Sequence, residues 1–123
     1  MIWVMVAIGG ALGSMARYGV TAAMARGGGS PMPYATAIVN VAGCAVAGLL
    51  LGLIASGRLP MTASQRIFVF TGILGGFTTF SGLGVDNFLL MHEARGTAAV
   101  VNVFAQVILG FALFFACYEL ARR

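Results

Sequence analysis

Two phenylalanines and three hydroxyl residues lie within a glycine-rich stretch in the middle of an apolar segment. Residues 72–84 read GILGGFTTFSGLG, which places hydroxyls at Thr78, Thr79 and Ser81 and an aromatic ring at Phe80. Glycine disfavours a helix interior, and irregular backbone survives in lipid only where it is buried in protein or faces a water-filled cavity. The stretch therefore predicts that a membrane helix is interrupted here.

An interrupted helix presents backbone groups that bind ions. Carbonyls at the end of the first half coordinate a cation, and N–H groups at the start of the second half favour an anion. Hydroxyls replace lost hydration, and the electropositive edge of the Phe80 ring faces an anion without carrying charge. These groups together favour passage of a small, strongly hydrated ion over the alternative, a glycine-rich packing helix whose hydroxyls bond back to its own backbone.

Other polar residues are placed where the chain is predicted to lie in lipid. Arg17 lies inside the first apolar segment, where a charged side chain costs about 2.5–3.5 kcal/mol, so a partner or wet cavity is favoured over snorkelling. Asn40 either donates to an anion or binds a neighbouring helix across an interface, and the first role is favoured. Asn102 and Gln106 are four residues apart and share a helix face, where they either line a route or tie helices together.

The elements that carry these residues follow from composition. The chain has 123 residues, is 60% hydrophobic and 8% charged, and has a mean hydropathy of +1.00, whereas soluble domains are about 25% charged. This predicts an integral membrane protein.

The charged residues and cysteines exclude several other classes of protein. The net charge of +4 comes from scattered arginines without lysine, which argues against nucleic-acid binding. Cys44 and Cys117 are interpreted as small apolar residues rather than a disulfide. His92 is the single histidine and has no nucleophile or metal cluster with it, so no enzyme is expected.

Four apolar segments are each long enough for a membrane span of about 20 residues. They cover roughly residues 2–25, 33–56, 66–91 and 97–120. The predicted fold is an all-α integral membrane protein, a single unit over 1–123 with four transmembrane helices, a broken third helix and both termini on one side. With the N-terminus inside, four arginines lie on the inner face and two on the outer face, a weak bias that permits insertion both ways.

Small residues in the first two segments predict close helix packing. Gly9, Gly10 and Gly13 form one such face, and the second segment carries another at Gly43, Ala47, Gly48 and Gly52. Packing within one subunit and packing between subunits are equally compatible with this pattern. Because four short helices enclose little volume, a pathway is expected between subunits, most simply in a dimer.

Three motifs resemble a known family. GGALGSMARY at 9–18, TAIVN at 36–40 and GGFTTFS at 75–81 are similar, in order, spacing and total length, to the signatures of the CrcB/Fluc fluoride channels. The resemblance implies an antiparallel dual-topology dimer in the bacterial inner membrane. It also implies two fluoride pores along the subunit interface, a structural sodium ion at the dimer centre, and passive export of fluoride from the cytoplasm.

The resemblance also implies roles for individual residues. The carbonyls of Gly75 and Thr78 bind sodium, and Phe80 presents its ring edge to fluoride. Asn40 lies beside the pore and orients that ring. The remaining implied positions are polar or charged: Thr79 and Ser81 in a polar track, Arg17 near the vestibule and Asp86 near the pore end.

This chain departs from the family pattern directly after the motif. Relatives continue TTFSTFS, whereas this chain reads TTFSGLG, so Leu83 replaces a second phenylalanine and Gly82 and Gly84 replace hydroxyl residues. Three outcomes stay open: conduction with altered rate or selectivity, pairing with a complementary homologous subunit, and degeneration of one pore. Conduction, as a homodimer or heterodimer, is the expectation.

Two other classes of function serve as alternatives. A small proton-coupled multidrug exporter needs a carboxylate at membrane depth. The acidic residues Asp86, Glu93 and Glu119 lie toward segment ends, which disfavours this class. A non-transporting assembly subunit or membrane anchor predicts instead that Arg17, Asn40 and Thr78 tolerate apolar replacement.

Overall fold

The computed structural model describes residues 1–26 and 33–123, and the described chain is built of helices. Helix α1 spans Ile2–Ala25 and α2 spans Tyr34–Ala55. The third helix has two halves, α3 (63–77) and α4 (Phe80–His92), and α5 spans Gly96–Arg122. These bounds agree with the predicted segments to within three residues at each end.

Three helices of the described chain are long and apolar enough to cross a membrane. They are Tyr34–Ala55, Ala63–His92, which contains the interruption, and Gly96–Arg122. Helix α1 has 24 residues and a length of about 36 Å, but it carries Arg17 and four glycines and is not among the three. The predicted fourth span therefore stays a prediction.

The helices pack in two close pairs, α1 with α3 and α2 with α5. A Cβ added to Gly13 would collide with the Ile73 carbonyl and lie 2.8 Å from the Phe77 nitrogen. A Cβ on Gly48 would collide with the Phe114 carbonyl. Because only glycine permits such backbone contact, the small faces of α1 and α2 pack inside the subunit, one of the two possibilities that the sequence left open.

Helix α3 keeps its glycines in helical backbone. Its first turn, Ala63–Arg66, begins with a capping box between Thr62 and Gln65, and Ile67–Leu74 continues with i→i+5 hydrogen bonding before a last turn at Gly75–Phe77. A Cβ on Gly76 would lie 2.5 Å from the Gly10 carbonyl oxygen. Gly72 and Gly76 thus bring α3 against α1, and the glycines of α3 do not interrupt the helix.

Several charged groups pair or bond at the ends of the bundle, whereas its sides expose apolar residues. Arg58 donates to the Ala121 carbonyl, and Arg122 pairs with Glu119 at 2.7 Å. Many large apolar side chains along the helices are exposed on the isolated subunit. Since soluble monomers rarely expose apolar patches of this extent, the sides of the bundle are suited to lipid or to another subunit.

Candidate functional site

The third helix is interrupted at two threonines. Thr78 (φ −83°, ψ 156°) and Thr79 (φ −151°, ψ 115°) are extended between α3 and α4. Thr78 closes α3, because its N–H and its hydroxyl each donate to the Leu74 carbonyl at 2.9 Å. Thr79 opens α4, because its hydroxyl oxygen accepts from the Gly82 N–H at 2.9 Å. The predicted interruption is therefore present, but threonine capping rather than glycine creates it.

Two carbonyls beside the interruption lack hydrogen bonds. Within residues 1–26 and 33–123, the carbonyl oxygens of Gly75 and Thr78 accept no backbone or side-chain hydrogen bond. Gly75 is exposed at the subunit surface and Thr78 is half-buried. Free carbonyls of an unwound membrane helix are ligands for sodium, so the donor chemistry fits the ion implied by the resemblance. Sodium binding at these atoms stays a prediction.

The side-chain amide of Asn40 on α2 binds the backbone of Thr79 with both its oxygen and its nitrogen. Its Oδ1 accepts from the Thr79 N–H at 2.7 Å, and its Nδ2 donates to the Thr79 carbonyl at 3.0 Å. Nδ2 also donates to Gln106 Oε1 at 2.7 Å, which uses both amide hydrogens on protein oxygens. The sequence favoured donation to an anion over binding of a neighbouring helix across an interface. In the structure both amide hydrogens meet oxygens of the same subunit, and a role toward an anion stays a prediction. Through Thr79, this bond also holds the next residue, Phe80.

The contact with Gln106 continues into a chain of amides. Gln106 Nε2 donates to Asn102 Oδ1 at 2.9 Å, and Asn102 Nδ2 donates to Asn87 Oδ1 at 2.9 Å. Both α5 amides are buried, with 6% and 8% of their surface exposed. The shared helix face of Asn102 and Gln106 was apparent from their spacing, but their partners on α2 and α4 were not.

One cavity, here called the amide cavity, lies beside Asn40. It has a volume of about 240 Å³ and is lined by residues of α2, α5 and the interrupted helix, including Thr78, Thr79, Phe80, Leu83 and Gln106. Phe80 is 84% exposed and projects from the subunit, whereas Leu83 is 6% exposed and faces inward. The structure thus brings together the predicted residues Asn40, Thr78, Thr79, Phe80 and Leu83.

A second cavity, here called the arginine cavity, lies on the other side of Thr79. It has a volume of about 310 Å³ and is lined mainly by polar residues, namely Ser14, Arg17, Tyr18, Thr21, Thr36 and Thr79, with Val39 and Gly82. The buried Nε of Arg17 has no hydrogen-bond partner in the described chain. Arg17 therefore faces a polar cavity, as predicted from its cost in lipid, but this cavity is distinct from the one that contains Phe80. Thr79 lines both.

Two further predicted residues differ in their surroundings. Ser81 is exposed, and its hydroxyl lies 3.0 Å from that of Thr79. Asp86 is 1% exposed, and neither of its carboxylate oxygens has a hydrogen-bond partner among the described residues. The sequence placed Asp86 toward a segment end, but the structure buries it in the subunit. Asp86 is buried because its face of α4 packs inward. Its place along the sequence segment did not indicate which face that would be.

The amino-acid sequence is similar to one protein family and to individual proteins of several bacteria. The chain matches the family described as CrcB-like protein, Camphor Resistance (CrcB), over residues 4–118. It is 46% identical to a protein of Methylobacterium nodulans over 105 residues, which cover 85% of this chain and 83% of the relative. It is 38% identical to a Thermus thermophilus protein over 118 residues, 96% of this chain and 93% of the relative. A Chloroflexus aurantiacus protein is 40% identical over 105 residues, 85% and 82% of the two chains.

All three relatives carry the name fluoride-specific ion channel FluC. The family match covers nearly the whole chain, and it includes the three motifs and the interruption between α3 and α4. The chain therefore belongs to the CrcB-like family.

Proposed function

We propose that this chain is the subunit of a passive, fluoride-selective channel that exports fluoride across the bacterial inner membrane. The observation that carries the proposal is the interrupted helix, which places Phe80 at the subunit surface within five residues of the Gly75 and Thr78 carbonyls, which accept no hydrogen bond among the described residues. Family membership and the names of the relatives support fluoride as the transported ion.

The amide cavity, lined by Thr79 and Phe80, and the exposed Ser81 beside it supply the groups that such an ion needs. The ring edge of Phe80 carries partial positive charge, so it attracts an anion without trapping it as a full charge would. The hydroxyls of Thr79 and Ser81 lie 3.0 Å apart and offer replacements for water. Because fluoride is small and strongly hydrated, selectivity over chloride follows from dipoles placed at short range, not from net charge.

The proposed channel contains two copies of the chain inserted antiparallel, each with four spans. A large aromatic exposed by 84% and the exposed backbone of Gly75 are both suited to cover by a second subunit. Antiparallel insertion agrees with the weak arginine bias between the two ends of the chain. In this arrangement α1 is the fourth span, since it packs along α3, the first half of the membrane-length helix Ala63–His92.

A sodium ion at the dimer centre would be held by the carbonyls of Gly75 and Thr78 from each subunit. When bound, it supplies positive charge and links the two interruptions. The chain's own residues prepare the donors: Thr78 directs its hydroxyl back to Leu74, and Asn40 holds the adjoining Thr79 peptide, which leaves the Thr78 carbonyl unbonded within the described residues.

A specific observation supports a second candidate, a subunit that conducts only with a complementary partner. A Cβ on Gly82 would lie 2.6 Å from the Thr79 Cγ2, whereas one on Gly84 would meet nothing within 4 Å of described residues. The packing around position 82 has thus adapted to glycine. With Leu83 in place of a ring, this chain supplies fewer polar and aromatic groups than the relatives' pattern.

The test is fluoride efflux from liposomes that contain the purified chain alone, measured with a fluoride-selective electrode and compared with chloride. We expect rapid fluoride efflux that needs no proton gradient, and chloride efflux no faster than from empty liposomes. Fluoride efflux at the empty-liposome rate would refute conduction by this chain alone. Restoration by a co-reconstituted homologue would then support the second candidate, and dependence on a proton gradient would support an exporter instead.

A further inference from the structure

The amide chain has a single direction, set at its first member. A backbone N–H only donates, so the Thr79 N–H requires the oxygen of Asn40 to face it. The Asn40 nitrogen must then face Gln106 Oε1. Gln106 and Asn102 each accept with their oxygen and donate with their nitrogen, and Asn87 accepts at the end. One peptide group therefore determines the orientation of all four side-chain amides, which single amides leave ambiguous.

The amide chain also begins and ends on the same half-helix, α4. Thr79 is the N-cap of α4, and Asn87 lies eight residues later on that helix. Between these two residues the amide chain passes through Asn40 on α2 and then through Gln106 and Asn102 on α5. Helix α4 is consequently attached at two points, about two turns apart, to the pair of helices behind it.

Gln106 is the member on which the others depend. It accepts from Asn40 and donates to Asn102, and it is only 6% exposed. Without its oxygen, one half-buried N–H of Asn40 loses its partner, and without its nitrogen the buried Asn102 oxygen loses its donor. A buried polar group left unpaired carries its desolvation penalty, so Asn40 would rotate away from Thr79 to find another partner.

We propose that Gln106, supported by Asn102, is a positioning residue for the conducting site. It holds Asn40 in one orientation, and Asn40 in turn fixes the Thr79 peptide and the direction of Phe80. This inference rests on the proposed function only in its transport consequences, because the effect on Thr79 is a property of the fold itself.

The experiment compares three variants of the full chain. Gln106→Met keeps the length of the side chain and removes both hydrogen bonds, and Asn102→Leu removes the next link. Ile108→Met is the matched control, because Ile108 is on the same helix, is exposed and lies outside both cavities. Each variant is measured for hydrogen exchange at the Thr79 amide, with the α2 amides as reference, and for fluoride and chloride efflux.

We expect Gln106→Met to raise Thr79 exchange by about tenfold over the α2 reference, the scale of one lost buried hydrogen bond. Fluoride efflux should fall by about as much, with a smaller fall for Asn102→Leu and none for Ile108→Met. Native exchange at Thr79 in Gln106→Met would overturn the proposal, as would a uniform rise across all helices, which indicates general destabilisation. If the unmodified chain passes no fluoride, the proposed function fails, while the exchange measurement still decides this inference.

Discussion

The two halves of the broken helix are held in place by different kinds of contact. Helix α3 packs backbone to backbone on α1, where a Cβ on Gly76 or Gly13 would meet main-chain atoms. Helix α4 is attached by side-chain hydrogen bonds, from Asn40 to Thr79 at its start and from Asn102 to Asn87 further along. Close packing fixes the first half through van der Waals contact, and directional bonds orient the second half, which carries Phe80.

This difference predicts different sensitivities. Helix α3 should respond to added volume, because backbone atoms cannot move aside as side chains do. Helix α4 should respond to the loss of donors and acceptors, because they set its direction. Substitutions on α3 should therefore impair folding, and those at the start of α4 should impair transport in a protein that still folds.

The largest effect is expected for Gly13→Ala. The new Cβ would collide with the Ile73 carbonyl and lie 2.8 Å from the Phe77 nitrogen, so α1 and α3 must separate at a cost of about 1–3 kcal/mol. The measurement is the fraction of protein that stays monodisperse after heating in detergent. Gly10→Ala is the control, since its Cβ meets no described atom within 4 Å. Equal heat resistance in both variants would show that α3 is not fixed by glycine contact.

The next effect concerns transport through Phe80. Phe80→Ile removes the positive ring edge at the amide cavity, and we expect fluoride efflux to fall at least about tenfold while heat resistance stays native. Phe88→Ile is the control, because Phe88 is also an exposed ring of α4 but lies outside both described cavities. Unchanged efflux in Phe80→Ile would mean that the anion does not pass this ring.

A smaller effect is expected from the cap of α4. Thr79→Val removes the oxygen that accepts from the Gly82 N–H at 2.9 Å, which should cost about 1 kcal/mol of stability. Thr79→Ser keeps the hydroxyl and should retain most of it. Thermal unfolding followed by circular dichroism compares the two variants. A larger loss in Thr79→Ser than in Thr79→Val would assign the effect instead to the threonine methyl group, which valine keeps and serine lacks, and which lies 2.6 Å from the site of a Cβ on Gly82.

Much of this architecture could be predicted from the sequence, because apolar length and turn residues indicate helices directly. The interruption between Gly72 and Gly84 was also predicted, but its glycines and threonines were assigned together to one role. To assign the glycines to packing and the threonines to the interruption, one must know which face of α3 contacts α1. That face depends on the rotation of α3 about its own axis, which the pattern of a single sequence does not determine. The free thiols of Cys44 and Cys117 agree with the prediction of no disulfide.

The partners of the amides were beyond prediction for a related reason. The spacing of Asn102 and Gln106 placed them on one face of α5. The axial register between α2, α4 and α5, which brings Asn40 and Asn87 within hydrogen-bond distance of them, arises from close contacts such as Gly48 against Phe114. Register of this kind is a property of the packed helices, and no local pattern encodes it.

The smallest effect is expected where this chain departs from its relatives' pattern. Leu83 is buried on α4 and lines the amide cavity together with Phe80, so Leu83→Phe adds a second ring edge there. If the second half-helix owes its function to direction rather than to close packing, the cavity of about 240 Å³ should accept the ring. Fluoride efflux should then stay native or rise by about threefold, within the range measured for single aromatic contacts. Leu83→Met, which conserves volume without a ring, controls for repacking and should stay near native. A marked fall in Leu83→Phe but not in Leu83→Met would show that this wall is as closely packed as α3, and the contrast between the two half-helices would fail at this position.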